Sequence, residues 1–167
     1  MTGSKPFVLT HTFDAPRKLV WQAMTEAEHL KHWFGPTGQL SYASVDLRPG
    51  GVFLYGIAAP DGSVMRAKRT FTEILPEEKF VTIASYCDDA QNVTRHPMSP
   101  TWPLEMLIAT TLTEKDGKTR MVLDWSARNP TPEEQATFDS SHAMLNRGWS
   151  RAFGNLDAHL MTIKGEK

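Results

Sequence analysis

Two residues of the predicted strands have side chains that could carry acid–base chemistry. His11 lies on the apolar parity of the alternating segment 7–13, and imidazole changes its charge near neutral pH. Glu73 shares the parity of an apolar strand face, where burial would raise the pKa of its carboxyl towards that of a general acid or base. Each has a structural alternative: a neutral core histidine for the first, and a strand-end carboxylate screened by Arg69 or Lys79 for the second.

Metal and nucleophile chemistry receive little support from the spacing of the remaining candidates. Glu26, His29 and His32 follow one another at three-residue steps, which rotate around a helix and do not converge on one ion. Cys87, with His96 downstream, is followed by two aspartates that would raise the pKa of its thiol. No catalytic triad signature, phosphate-binding glycine loop or dinucleotide fingerprint is present. We therefore predict no metal site and no cofactor.

Length and charge restrict the classes of protein that fit. The chain has 167 residues, with 18 Lys and Arg against 19 Asp and Glu, giving a net charge of −1. That balance provides no basic field for nucleic acid or anionic lipid, and no apolar run is long enough for a membrane-spanning helix or a signal peptide. We expect a single domain, residues 1–167, in the cytoplasm, without nucleic acid or membrane partners.

The elements that must position these residues follow from periodicity and turn signals. A strand over 7–13 precedes a short helix opening at Pro16 and a second opening at a capping-box pattern at Thr25, which Gly35 and Pro36 end. Strands separated by short turns then fill residues 39–127, so their neighbours should be antiparallel. One parity of these strands is apolar and the other largely polar, which predicts a sheet with one wet face.

The C-terminal segment is predicted to cover the apolar face of that sheet. Thr131 opens a capping-box pattern, and apolar residues recur at helical spacing as far as Ile163. A helix of that length should break or bend near 139–141 or at Gly148, where the glycine would allow a bend or a close approach to the sheet. The proline-rich segment 88–103 has no period, so it is either a binding loop or a surface connection.

These elements and several short motifs resemble a known family. The motifs are Phe-Asp-Ala-Pro-Arg from residue 13, His-Trp-Phe-Gly-Pro from residue 32, Asp-Leu-Arg-Pro-Gly-Gly from residue 46 and Gly-Trp at residue 148. Together they resemble the family related to the C-terminal domain of the Hsp90 ATPase activator Aha1, within the START/Bet v 1-like (SRPBCC) superfamily. The resemblance implies an α+β helix-grip fold, in which a curved antiparallel sheet wraps a long C-terminal helix around an apolar cavity. Its members have several activities, so it implies no single one.

We expect a small apolar or aromatic molecule to bind between the sheet and the last helix, because large inward side chains dominate the predicted wall. A cavity enzyme of cyclase, dehydratase or hydrolase type, using His11 or Glu73, is the second reading. A protein-interaction module with a chaperone partner such as Hsp90 is the third, and the protein is expected to be a monomer or homodimer. The predicted ligand-binding residues are Leu9, His11, Phe13, Phe53, Tyr55, Phe71, Glu73, Met106, Ile108, Leu123, Trp125, Leu145, Trp149, Ala152 and Phe153.

Overall fold

The computed structural model describes residues 6–34, 40–58, 61–96 and 99–164. Within these residues, one strand is followed by two short helices, then by a long run of strands, and finally by two helices. The elements are β1 (Phe7–Phe13), α1 (Arg17–Thr25), α2 (Ala27–Trp33), β2 (Tyr42–Val45), β3 (Val52–Ala58), β4 (Val64–Leu75), β5 (Lys79–Cys87), β6 (Val93–Thr94), β7 (Met106–Lys115), β8 (Lys118–Ala127), α3 (Pro132–Ser140) and α4 (His142–Lys164).

The strands form one sheet in the order β1-β8-β7-β5-β4-β3-β2, with β6 paired to β5 and all pairs antiparallel. Short hairpins explain the neighbours: Asp116 and Gly117 both have positive φ, at 56° and 77°, the geometry of the two-residue turn whose twist matches the strands. The curved sheet and the long last helix confirm the predicted α+β helix-grip fold.

Burial alternates along the strands as the sequence predicts. On β8, Met121, Leu123 and Trp125 are buried, whereas Arg120 and Asp124 are exposed. The inner face meets α4 through residues such as Leu156, which has no exposed surface. None of the helices in the described ranges is long and apolar enough to cross a bilayer.

The early helices confirm the predicted pair but correct its second boundary. Helix α1 begins one residue after Pro16, and α2 begins at Ala27 without a side-chain cap. The capping box predicted at Thr25 is wrong, because the Thr25 hydroxyl instead donates to the Trp21 carbonyl at 2.7 Å, within the last turn of α1. Gly35 and Pro36, the predicted helix stop, lie outside the described residues.

The second capping box is confirmed. The Thr131 side chain accepts from the Glu134 amide at 3.1 Å, and the Glu134 carboxylate accepts from the Thr131 amide at 3.0 Å. Helix α3 ends at Ser140 and α4 starts at His142, so the break falls in the first of the two predicted places. Helix α4 continues through Gly148.

Candidate functional site

A cavity of about 550 Å³ lies between the inner face of the sheet, helices α3 and α4, and the segment after β5. Its walls are mainly aromatic and aliphatic, with a few polar groups. The lining residues are Phe34, Tyr55, Ile57, Ala67, Arg69, Ala84, Ser85, Tyr86, His96, Ser99, Trp102, Pro103, Met106, Trp125, Thr137, Ser140, Ser141, Met144, Leu145, Gly148, Trp149 and Ala152.

Small residues at facing positions leave this space open. Ala67 on β4 is paired with Tyr55 on one side and Tyr86 on the other, so two large rings stand on either side of a methyl group. Across the cavity, a Cβ built on Gly148 would meet no atom within 4 Å. The close approach to the sheet predicted at Gly148 is therefore wrong, since a side chain at this position would meet open space.

Trp149 connects the last helix to the sheet. Its ring centroid lies 5.5 Å from that of Trp125 on β8 and 5.6 Å from that of Phe34, both in edge-to-face geometry, the arrangement that aromatic quadrupoles favour. Trp149 is half-buried because one side borders the cavity. Its predicted orientation towards the sheet is confirmed.

Arg69 is a buried cation in the cavity wall. Only 8% of its surface is exposed, and its guanidinium carbon lies 4.9 Å from the centre of the Phe34 ring and 5.5 Å from that of Trp149. Its Nε is buried without a hydrogen-bond partner, and among the described residues no carboxylate forms an ion pair with it. Two aromatic faces thus hold this charge, and no carboxylate of the described residues is paired with it.

Tyr86 is a neutral hydroxyl beside that cation. Burial raises the pKa of Tyr86 to about 12, with a further contribution from Tyr55, and the positive charge of Arg69 opposes both. Ala67 on β4 is paired with both Tyr55 and Tyr86. Arg69 lies two residues further along β4, so it is on the same face of the sheet and is a diagonal neighbour of both tyrosines. The ring centroid of Tyr86 also lies 4.7 Å from that of His96. Burial lowers the pKa of His96, so its imidazole is mainly neutral at pH 7.

The segment between β5 and β7 completes the wall. His96, Ser99, Trp102 and Pro103 line the cavity, which places the segment 88–103 in the wall for part of its length. Of the two readings left open for this segment, the structure therefore supports a cavity-lining loop over a surface connection. Pro97 and Met98 lie outside the described residues.

Contacts to α3 hold that segment in place. Arg95 forms an ion pair with Glu134, and this hydrogen bond lowers the pKa of the Glu134 carboxyl. The Thr137 and Thr101 hydroxyls are 2.8 Å apart, and the Trp102 ring lies 6.0 Å from that of Phe138. The cavity wall is therefore built from the sheet, two helices and an anchored loop.

The predicted ligand-binding residues divide into three groups. Those that line the cavity are Tyr55, Met106, Trp125, Leu145, Trp149 and Ala152. A separate void of about 30 Å³, room for about one water molecule, is bordered by Phe53, Phe71, Leu123 and Phe153. The residues that border neither space are Leu9, His11, Phe13, Ile108 and Glu73.

The structure corrects the inward placement of Glu73. A register shift in β4 between Phe71 and Glu73 inserts a residue into the pairing and reverses the parity beyond it. Glu73 is consequently exposed and lies 3.5 Å from the Lys79 ammonium, which is the alternative considered for it. The bulge separates the strand's core-facing part from its solvated end.

His11 also lies away from the cavity. Its Nε2 is 2.9 Å from a carboxylate oxygen of Asp157 on α4, and its ring packs 4.5 Å from that of Phe13. This places His11 in a contact between β1 and α4.

The histidines considered as metal ligands lie elsewhere. His29 Nδ1 is 2.9 Å from His159 Nε2, yet no three His, Cys, Asp or Glu side chains in the described ranges are grouped as a metal site.

Arg69 and Tyr86 line the cavity but are not among the ligand-binding residues predicted from the sequence. The signal for Arg69 was present: it occupies the same parity as Ala67 and Phe71, whereas Arg66 and Lys68 occupy the polar parity. An arginine on the buried face of a strand is rare unless it is paired or binds a ligand. For Tyr86 the sequence carries no comparable signal, because tyrosine is common in strands.

Solved structures with the same fold come from several bacteria. Protein NE0264 from Nitrosomonas europaea is 23% identical with a TM-score of 0.75, covering 99% of each chain. A protein from Rhodobacter sphaeroides is 17% identical with a TM-score of 0.76, covering 96% of this chain and 94% of the other. Protein Ms6760 from Mycobacterium smegmatis is 24% identical with a TM-score of 0.70, covering 93% and 90%. These identities show a shared fold alone.

A search of curated proteins finds no match. The family model described as "Activator of Hsp90 ATPase homolog 1-like protein" matches residues 14–161, a range that runs from the end of β1 to the last turn of α4. It includes every residue found to line the cavity. With its motifs, its fold and most of its length in agreement, the chain belongs to the family of activator of Hsp90 ATPase homolog 1-like proteins.

Proposed function

We propose that the protein binds a small apolar or aromatic molecule in the cavity between the sheet and helix α4. The observation that carries the proposal is the cavity itself: about 550 Å³ falls within the range of roughly 300–1,000 Å³ that is usual for small-molecule sites. Its lining has the usual make-up of such sites, in which apolar and aromatic surface surrounds a few polar groups.

Binding is favoured over catalysis by the positions of the expected acid–base residues. His11 and Glu73, the candidates for proton transfer, do not line the cavity. Among the described lining residues, His96 is the one imidazole and no carboxylate accompanies it. A ligand in this cavity therefore meets groups that can orient it, without the acid–base pair that the enzyme reading required.

A neutral fluorophore tests the proposal directly. N-phenyl-1-naphthylamine should bind saturably, gain fluorescence and raise the melting temperature, because a ligand that binds the folded state stabilises it by mass action. Gly148→Leu should weaken this binding about tenfold or more, since the new side chain projects into the cavity.

Gly154→Leu is the matched control, because this glycine lies on the same helix, also has no atom within 4 Å of a built Cβ, and does not line the cavity. It should leave the affinity unchanged. Equal effects of the two substitutions, or no saturable binding by the unmodified protein, would overturn the proposal and favour the chaperone-interaction reading, which needs no occupied cavity.

A further inference from the structure

The strongest unexplained feature of the molecule is the charge on Arg69. A buried charge is costly unless it is paired and hydrogen-bonded, yet Arg69 is 8% exposed, carries a buried Nε with no hydrogen-bond partner, and makes no ion pair among the described residues. Departures of this kind from the local rule are expected at functional sites.

The surroundings of Arg69 hold its guanidinium in a fixed place. Phe34 and Trp149 present ring faces to its guanidinium carbon at 4.9 and 5.5 Å, so cation–π attraction to two rings holds the charge. This attraction does not satisfy the hydrogen-bonding capacity of the guanidinium, and Nε has no hydrogen-bond partner. A planar, fixed fork of donors matches a carboxylate, which can accept two parallel hydrogen bonds from it.

Two phenols stand beside this fork. Tyr55 and Tyr86 are paired with Ala67 on either side. Ala67 lies two residues before Arg69 on β4 and faces the same side of the sheet. A protonated phenol is a hydrogen-bond donor, and phenols are protonated at neutral pH. Because the pKa of Tyr86 is raised to about 12, its hydroxyl remains a donor to higher pH than usual. Three side chains that carry hydrogen-bond donors, on three adjacent strands, therefore line the same part of the cavity wall.

The charge of the lining sets the charge of the occupant. Arg69 is the single Lys, Arg, Asp or Glu among the described residues that line the cavity, and the pKa of His96 is lowered by burial. One cation balances one negative charge, whereas a phosphate dianion would remain half uncompensated. The rest of the wall, including Trp125, Met106 and Leu145, is suited to an apolar body.

We propose that Arg69, with Tyr55 and Tyr86, is the anion-binding end of the cavity, and that the ligand class is a carboxylic acid with an aromatic or aliphatic body. This inference rests on the proposed ligand-binding function and specifies it. The carboxylate sits against the guanidinium edge, and the apolar body extends between α4 and the sheet.

A matched pair of probes separates the carboxylate from the apolar body. Calorimetric titration of the full chain with 1-naphthaleneacetate and with 1-naphthaleneacetamide compares a negative group with a neutral one on the same ring system. The unmodified protein should bind the acid about tenfold more tightly or better, since hydrogen bonds between charged groups contribute more than neutral ones.

Arg69→Met should remove that preference, so that the two probes bind with affinities within about threefold of each other. Arg69→Lys should keep part of it, because the charge remains without the fork. Arg66→Met is the matched control: Arg66 lies on the same strand but on the solvated face, paired with Asp89 at 2.8 Å, and its loss should not change the preference. Circular dichroism spectra and melting temperatures show that each variant is folded.

Each outcome bears on one of the two proposals. If both probes bind the unmodified protein equally, or if Arg69→Met keeps the preference for the acid, the anion-binding role is wrong while the cavity remains a binding site. If neither the probes nor the neutral fluorophore bind the unmodified protein, the ligand-binding function itself fails.

Discussion

At the scale of single residues, Arg69 breaks the rule that organises the rest of the inner face. Its neighbours on that face are apolar or aromatic, and the residues before and after it, Lys68 and Thr70, point towards the other side of the sheet. A positive charge here opposes folding through its desolvation, and the same loss of water would strengthen its attraction for the proposed anionic ligand. The proposed function therefore conflicts with stability at this position.

Substituting Arg69 by methionine tests this conflict. Methionine keeps the apolar contact with Phe34 and Trp149 and removes the buried charge, so the free energy of unfolding of the ligand-free protein should stay the same or rise by about 1 kcal/mol. Urea denaturation measures it. Removing one member of a buried ion pair would instead lower the free energy of unfolding by about 3–5 kcal/mol. A decrease of that size would mean that Arg69 stabilises the fold.

Parity predicted many inner-face residues and failed where another effect intervened. Apolar periodicity alone predicts the inward orientation of Trp149, Trp125 and Met106, because large apolar side chains at that spacing are typical of a buried face. Glu73 was misplaced because its parity depends on a bulge that the sequence does not mark. Arg69 was overlooked because patterning identifies apolar faces and says nothing about a charge that a cavity accommodates.

At the scale of elements, the same capping pattern succeeded at one helix and failed at another. At Thr131 the backbone is extended and Pro132 can begin a helix, so the hydroxyl caps the first turn. At Thr25 the residue still belongs to α1, and its hydroxyl donates backwards to that helix. The pattern alone does not say whether the threonine stands before a helix or inside the end of one.

We expect the orientation of α4 over the sheet to depend on Trp149, whose ring contacts the rings of Phe34, Trp125 and Phe153. Trp149→Ala should lower the free energy of unfolding by about 3 kcal/mol or more, the usual cost of truncating a large core ring. It should also weaken binding of N-phenyl-1-naphthylamine, because this ring is part of the cavity wall.

Met161→Ala is the control for that substitution, because Met161 lies on the same helix and is 59% exposed. Its effect should stay within about 0.5 kcal/mol. Denaturation and fluorophore titration of both variants measure the two effects. A loss below about 1 kcal/mol for Trp149→Ala, typical of surface sites, would mean that α4 is anchored by other contacts.

At the scale of the whole molecule, the cavity requires parts that are distant in the chain. Tyr55 and Arg69 come from the sheet, Trp102 from the loop after β5, and Leu145 from the last helix. A ligand that touches all of these stabilises their assembly, so occupancy should raise the unfolding temperature of the entire domain and not of one element. Sequence patterning predicted the layers, but the gap between them depends on the packing of small residues such as Ala67 and Gly148.

The pH dependence of binding tests how the site works as a unit. An ordinary phenol ionises near pH 10, and a phenolate at Tyr86 would repel a bound carboxylate. With its pKa raised to about 12, Tyr86 stays neutral and Arg69 stays charged, so between about pH 7 and pH 10.5 the affinity for 1-naphthaleneacetate should follow the same pH profile in the unmodified protein and in Tyr86→Phe. His96 is neutral over that whole range, because burial lowers its pKa. Calorimetric titration across this range measures the affinity, with Tyr86→Phe as a variant that cannot ionise at this position.

One outcome would contradict this expectation: an affinity that falls tenfold or more between about pH 9 and pH 10.5 in the unmodified protein but not in Tyr86→Phe. Such a fall would show that Tyr86 ionises normally. It would then not be held in the buried, neutral state that the anion-binding end of the cavity requires.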